Sequence, residues 1–262
     1  MSEAIGILET GVPPGDLAAR HGRYDAMVQA LLGRAFTTRT YDVQAGELPA
    51  RPEDHPAYVI TGSSAGVYDP LPWIAPLQDF IRQAHGRAKL VGICFGHQVM
   101  AEALGGRVEK SSKGWGLGLH SYQIVTCAAW MGGAVPHAIA VLASHQDQVI
   151  AAPEGAIVMA ESAFTPFAAL LYAGGTALSM QFHPEFSHRF AAELVETRRA
   201  ALPDGMPDLA LASLEATGDA ALVGSWIRRF LGVAAPTDPN LKPGPVTTEE
   251  QAAGERCLKP AE

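Results

Sequence analysis

A cysteine between two glycines is the residue of this chain best placed for nucleophilic chemistry. The segment GICFGHQ, residues 92–98, follows an apolar run and precedes a helical pattern. Gly92 and Gly96 are the small residues that let a sharp strand-to-helix turn expose Cys94 above the carboxyl edge of a sheet. The amino end of the following helix favours thiolate over thiol, and the N–H of Phe95 is aimed where an oxyanion would form. The alternative is a buried, inert cysteine flanked by packing glycines, and the double glycine disfavours it.

The segment QFHPEF, residues 181–186, carries the general base that such a cysteine needs. If residues 179–182 form a strand, His183 emerges at its carboxyl end, and Pro184 fixes a turn that lets Glu185 reach back to the imidazole. A helix start with proline at its first position explains the proline and the glutamate equally well, but it does not explain the histidine. The motif alone leaves both interpretations open.

A third candidate segment is VITGSSAGVYD, residues 59–69, whose small residues let the backbone approach a substrate closely. An N–H of Gly62 or Ser63 would complete an oxyanion hole with Phe95, although an ordinary turn also explains this loop. Glu9 ends the first predicted strand, where ligands of open sheets gather, and it is otherwise a solvated carboxylate.

An α/β fold is expected to position these segments. Buried apolar runs alternate with helical patterns over the first half of the chain, which predicts a mostly parallel central sheet with helices on both faces, because parallel strands need long crossovers. Short alternating runs in residues 108–180 predict antiparallel strands at the edge of that sheet. The predicted strands are residues 4–8, 37–43, 57–62 and 89–93. The predicted helices are residues 22–34, 72–84, 96–106 and 219–231. A further helix is predicted with Phe186, Phe190 and Leu194 on one face.

The composition excludes several classes of protein. Residues 233–262 are proline-rich and lack periodicity, so we expect a flexible tail after one domain over residues 1–232. A net charge of -8 without a basic block disfavours nucleic acid as a partner, and no clean apolar stretch of roughly 20 residues predicts a membrane span. Three irregularly spaced cysteines and the absence of a signal-peptide pattern predict a cytoplasmic protein. No second C-x-x-C and no H-E-x-x-H accompany Cys94 and His97, so neither a metal nor a cofactor is expected.

Taken together, the G-I-C-x-G-H-Q turn, the H-P-E motif and the strand-T-G-S loop resemble the class I glutamine amidotransferases in order and approximate separation over residues 4–200. KGWGLGLH (113–120) and ASHQDQV (143–149) are similar to segments of the stand-alone branch that resembles the amidotransferase half of GMP synthetase. The resemblance implies the flavodoxin-like three-layer sandwich of that family.

The resemblance also implies roles for individual residues. Cys94 would be the nucleophile, His183 the general base and acid, and Glu185 the group that orients the imidazole. Gln98 would contact the α-amino and α-carboxylate end of bound glutamine. The backbone of residues Ser144, His145 and Gln146 would help Gln98 to bind that end of the substrate. Trp115 would either contact the substrate or pack at the pocket wall.

Two reactions are consistent with these roles, and both pass through a γ-glutamyl thioester on Cys94. In one, glutamine supplies ammonia to a synthetase partner in trans, since the chain has no S-G-G-x-D-S-like ATP-pyrophosphatase motif. In the other, the protein acts alone as a γ-glutamyl peptidase or hydrolase. A non-catalytic regulatory module of the same fold is a third hypothesis, which the intact set of Cys94, His183 and Glu185 disfavours.

Overall fold

A computed structural model describes residues 4–132 and 134–232, and the predicted tail lies outside the described residues. The strands are β1 (Ile5–Glu9), β2 (Thr38–Asp42), β3 (Ala57–Ile60), β4 (Lys89–Ile93), β5 (Arg107–Lys110), β6 (Gly116–Ile124), β7 (Ala138–His145), β8 (Asp147–Ala151), β9 (Ile157–Glu161), β10 (Ala169–Leu171) and β11 (Ala177–Met180). The helices of four or more residues are α1 (Leu17–His21), α2 (Tyr24–Leu32), α3 (Ile74–Ala84), α4 (Phe95–Ala103), α5 (His188–Arg198), α6 (Met206–Ser213) and α7 (Ala220–Gly232).

Nine strands form one sheet in the order β2-β1-β3-β4-β11-β10-β9-β6-β7. The first five are parallel, and their order is that of flavodoxin-like folds, 2-1-3-4-5 in sequence order. Strands β1, β3 and β4 are buried along their whole length, because helices cover both faces of the sheet. Helices α2 and α7 pack on one face, and α3 and α4 pack on the other. The predicted three-layer α/β sandwich is therefore confirmed.

Antiparallel strands complete the far side of the sheet, as the short alternating runs predicted. One part of that prediction was wrong: β5 and β8 do not join the sheet edge but pair with each other in a separate ladder. In β5 only Val108 is buried, so this strand offers too little apolar surface to be packed inside the layers. Among the described residues, no helix has the length and apolar character needed to cross a membrane.

The segment that follows β11 differs from the prediction in its boundaries. The strand ends at Met180 rather than at Phe182, and α5 begins only at His188. Ser187 caps that helix, because its hydroxyl accepts a 3.1 Å hydrogen bond from the N–H of Phe190. The chain between β11 and α5 is thus a connection that presents side chains at the carboxyl edge of the sheet.

Candidate active site

Cys94 occupies a strained turn between β4 and α4. Its φ is 53° and its ψ is -103°, and it is the one non-glycine residue of the described chain with a positive φ. A side chain at either flanking glycine would collide with backbone: a Cβ on Gly96 would overlap the carbonyl oxygen of Ile60, and one on Gly92 would lie 2.6 Å from the carbonyl carbon of Gly96. Strain of this kind persists only where the surroundings enforce it. The two glycines let β3 and α4 close around the turn.

His183 and Glu185 form a buried pair beside this turn. Nδ1 of His183 lies 2.7 Å from Oε1 of Glu185, and both side chains are almost completely buried. The ring of Phe186 stacks on the imidazole at 3.9 Å with an interplanar angle of 9°. The backbone N–H of His183 donates to the carbonyl of Leu142 at 2.8 Å, which fixes the segment against β7. With Nδ1 engaged by the carboxylate, Nε2 is the ring nitrogen left for proton exchange.

The sulfur and the imidazole converge next to Gly62. A Cβ added to Gly62 would lie 3.3 Å from Cε1 of His183 and 3.8 Å from Cβ of Cys94. Burial alone would lower the pKa of His183, but the charges of Glu185 and Cys94 outweigh it and raise that pKa above its ordinary value. The arrangement thus favours an imidazolium next to the sulfur.

Three residues next to this point carry backbone N–H groups without a partner among the described residues. The carbonyl of Gly62 accepts from the hydroxyls of Thr10 and Thr61, each at 3.2 Å. The peptide is trans, so the N–H of Ser63 points away from those hydroxyls. Within residues 4–132 and 134–232, the N–H groups of Gly62, Ser63 and Phe95 donate to no protein acceptor. These are donors that an oxyanion would satisfy.

A cavity of about 550 Å³ opens over Cys94. Its lining includes Ser63 of the loop after β3 together with the four residues predicted to bind glutamine, Gln98, Ser144, His145 and Gln146. The structure therefore brings the predicted binding residues to the predicted nucleophile. Trp115 also lines the cavity, so it forms part of the wall.

The hydrogen bonds of Gln98 narrow its expected role. Its Nε2 donates to the carbonyl of Asp147 at 2.8 Å and to Oε1 of Gln181 at 3.1 Å, which uses both amide hydrogens. Oε1 is the polar atom of the Gln98 side chain that remains for a ligand, and an amide oxygen can only accept a hydrogen bond. Gln98 could thus accept a hydrogen bond from an α-ammonium group, and its predicted contact with the α-carboxylate stays a prediction.

His145 is a buried neutral residue in this wall. Burial lowers its pKa to about 3, and the charge of nearby His183 adds to the effect. Its Nδ1 lies 3.2 Å from the carbonyl of Asp147. The imidazole therefore supports the segment that lines the cavity. The contact of backbone groups from Ser144 to Gln146 with glutamine stays a prediction.

The sequence did not identify the cationic wall of the cavity. Arg198, at the last turn of α5, donates to the hydroxyl of Ser144 at 2.9 Å and lies over the ring of Trp115 at 5.4 Å. Lys110, at the end of β5, lines the same cavity. Within the described part of the chain, neither side chain makes an ion pair. Lys110 lies on an exposed strand and Arg198 at a helix end, and neither belongs to a recognisable sequence motif. The sequence alone therefore could not identify them.

The two carboxylates of the cavity are already bound within the protein. Oδ2 of Asp69 accepts from the N–H of Gly66 at 2.8 Å, and Oδ2 of Asp147 accepts from the hydroxyl of Tyr68 at 2.7 Å. Asp147 is the ladder partner of Lys110, but among the described residues neither carboxylate forms an ion pair with Lys110 or Arg198. Lys110 and Arg198 are therefore available to an anionic group of a ligand.

Two further residues considered in the sequence lie elsewhere. Glu9 is buried and accepts from Nε of Arg23 at 2.9 Å and from the N–H of Asp25 at 3.2 Å, so it is neither solvated nor part of the cavity lining. His97 is fully buried, with Nδ1 2.7 Å from the hydroxyl of Ser179. Each is held by contacts within the protein.

Residues 29–198 match the family model described as glutamine amidotransferase class-I. Together with the fold, this match shows that the chain belongs to the class I glutamine amidotransferase family. A solved glutamine amidotransferase from Thermotoga maritima superposes with a TM-score of 0.73 at 21% identity, covering 89% of this chain and 100% of its own.

Three named relatives match different shares of this chain. A glutamine amidotransferase-like protein of Schizosaccharomyces pombe is 30% identical over 76% of this chain and 86% of its own. Gamma-glutamyl peptidase 4 of Arabidopsis thaliana is 30% identical over 72% of this chain and 79% of its own. GMP synthase of Thermus thermophilus is 37% identical over 50% of this chain but only 25% of its own.

Proposed function

We propose that this protein hydrolyses the γ-amide of glutamine through a γ-glutamyl thioester on Cys94 and passes the ammonia to a separate acceptor enzyme. The observation that carries the proposal is the convergence of a strained, cavity-facing cysteine with the buried His183–Glu185 pair. Membership in the class I glutamine amidotransferase family supports the same chemistry.

The reaction follows from the positions of these groups. The thiolate of Cys94 attacks the γ-carbonyl carbon, and the N–H groups of Phe95 and of Gly62 or Ser63 hold the oxyanion. His183 protonates the departing nitrogen as the C–N bond breaks, which releases ammonia and leaves the thioester. His183 then removes a proton from water, which attacks the thioester, and glutamate and the free cysteine are formed.

A test of the proposal measures ammonia and glutamate released from glutamine by the purified protein, with γ-glutamyl dipeptides assayed in parallel. Ammonia release from glutamine supports the proposal. Cleavage of dipeptides alone supports a γ-glutamyl peptidase. The absence of turnover, together with no labelling of Cys94 by a glutamine-like electrophile, supports a non-catalytic module and contradicts the proposal.

The orienting carboxylate gives a pH prediction. We expect Glu185→Gln to lower kcat/KM by about 100-fold or more, because an amide neither stabilises the imidazolium nor holds the same ring orientation. Glu185 raises the pKa of His183, so its removal lowers that pKa, and the imidazolium is lost at a lower pH. The alkaline limb of the pH–rate profile should therefore move toward lower pH. A profile with its alkaline limb unmoved would contradict the assigned role.

The cavity supports a second candidate, a γ-glutamyl peptidase. A volume of about 550 Å³ is in the range that accommodates ligands larger than one free amino acid, and Arg198 and Lys110 can bind a carboxylate beyond the reacting amide. The A. thaliana relative is itself a γ-glutamyl peptidase. In this candidate the departing amine is an amino acid or peptide with a free carboxylate.

Arg198→Met separates the two candidates when γ-glutamylglycine is compared with γ-glutamylglycinamide, which lacks only the terminal charge. If Arg198 binds the leaving group, we expect the variant to raise KM for γ-glutamylglycine by about tenfold or more and to leave the glycinamide and glutamine nearly unchanged. Steady-state kinetics of the wild type and the variant measure KM for each of the three substrates. An equal loss on all three would place Arg198 at the α-carboxylate of the γ-glutamyl group and remove this support for the peptidase.

A further inference from the structure

Gln181 lies against the nucleophile in a position that the proposed mechanism does not use. It follows β11 directly, is completely buried, and its Nε2 donates to Sγ of Cys94 at 3.6 Å. Its backbone N–H donates to the carbonyl of Ala168 at 2.8 Å, which holds the residue against the sheet. The side chain is therefore a fixed polar group inside the protein, next to the sulfur.

A chain of hydrogen bonds determines which end of the Gln181 amide faces the sulfur. The carbonyl of Asp147 can only accept, so the group of Gln98 that lies 2.8 Å away must be its NH₂. The second hydrogen of that NH₂ points to Gln181 at 3.1 Å, so the atom that receives it must be Oε1. Gln181 consequently presents its own NH₂ to Cys94.

A donor aimed at a buried sulfur stabilises the charged form. Hydrogen bonds to an ionised group favour its ionisation, and they are stronger in the low dielectric of a protein interior. The thiolate is the form of cysteine that attacks a carbonyl. The same donor would stabilise the sulfur again when it leaves the thioester.

We propose that Gln181 is a positioning residue that keeps Cys94 in its thiolate form, with its amide held in the required orientation by Gln98. This inference rests on the proposed role of Cys94 as the nucleophile. It also links the binding residue Gln98 to the reacting atom through a single intervening side chain.

The test follows alkylation of Cys94 by iodoacetamide as a function of pH, read by mass spectrometry of the Cys94 peptide. We expect Gln181→Met, which keeps the volume but loses the donor, to slow alkylation at neutral pH by about three- to tenfold and to move the pH midpoint upward. Gln181→Glu, which puts a carboxylate beside the sulfur, should move the midpoint further in the same direction.

Gln148→Met is the matched control, because Gln148 is a buried glutamine on β8 whose amide nitrogen has no hydrogen-bond partner among the described residues. The pH midpoint of alkylation in this variant should equal that of the wild type. Circular dichroism shows which variants are folded, and a folded Gln181→Met with a wild-type midpoint would overturn the inference. Alkylation needs no substrate, so a wild type that hydrolyses neither glutamine nor dipeptides would count against the proposed function and leave this measurement intact.

Discussion

Cys94→Ala is expected to lower kcat for glutamine hydrolysis by at least about a thousandfold, because no thioester can form without the sulfur. Alanine leaves the cavity and its donors in place, so glutamine should still bind. Ammonia release measures the loss of turnover, and a hydroxylamine trap, which converts the thioester into a γ-glutamyl hydroxamate, should give product with the wild type and none with the variant.

Cys94→Ser is the companion variant, since its hydroxyl keeps the shape of the site but is a far weaker nucleophile than a thiolate at neutral pH. We expect it to remain folded and to be nearly as inactive as Cys94→Ala. Residual turnover within tenfold of the wild type in folded Cys94→Ala would mean that another group attacks the carbonyl, and the assignment of the nucleophile would fail.

Gly96→Ala is expected to lower the free energy of unfolding by about 3 kcal/mol or more. The new Cβ would overlap the carbonyl oxygen of Ile60, and this neighbour is backbone in the middle of the sheet rather than a movable side chain. Relief requires α4 to move away from β3, which would break the 3.1 Å hydrogen bond from the N–H of Gly96 to the carbonyl of Thr61. Urea denaturation measures the change.

The matched control is Gly232→Ala, at the end of α7, where a Cβ would meet no atom of the described residues within 4 Å. That change should be neutral or stabilising by up to about 1 kcal/mol, because alanine restricts the unfolded chain. If both variants have the same stability, the close approach of β3 and α4 is not what requires glycine in this turn.

The parallel half of the fold could be predicted from the sequence because its strands carry a local signal. A strand buried on both faces, such as β4, is a short apolar run between turn residues, and the prediction of residues 89–93 matches its observed bounds. The ladder of β5 and β8 could not be predicted in this way. Its pairing depends on residues about 40 positions apart along the chain, and β5 is largely exposed.

The candidate site was predictable where neighbouring residues carry the chemistry. Cys94 sits between glycines, and His183 and Glu185 are two positions apart, so each part has its own pattern. Arg198 could not be recognised, since an arginine at a helix end is usually a solvated charge. Gln181 did offer a signal: a large polar residue directly after the buried run ALSM is costly unless it has partners.

The neighbouring placement of β4 and β11 has a consequence for how this protein can diversify. Ile93 and Met180 are partners in one parallel ladder, and the N–H of Cys94 donates to the carbonyl of Met180 at 2.8 Å. The relative position of sulfur and imidazole is set by these adjacent strands and by the bond from His183 to Leu142 of β7, so the parts of the intervening chain that contact neither residue can change without disturbing the pair. The rim of the cavity, and with it the range of molecules that fit, can thus change while Cys94 and His183 keep their relative position.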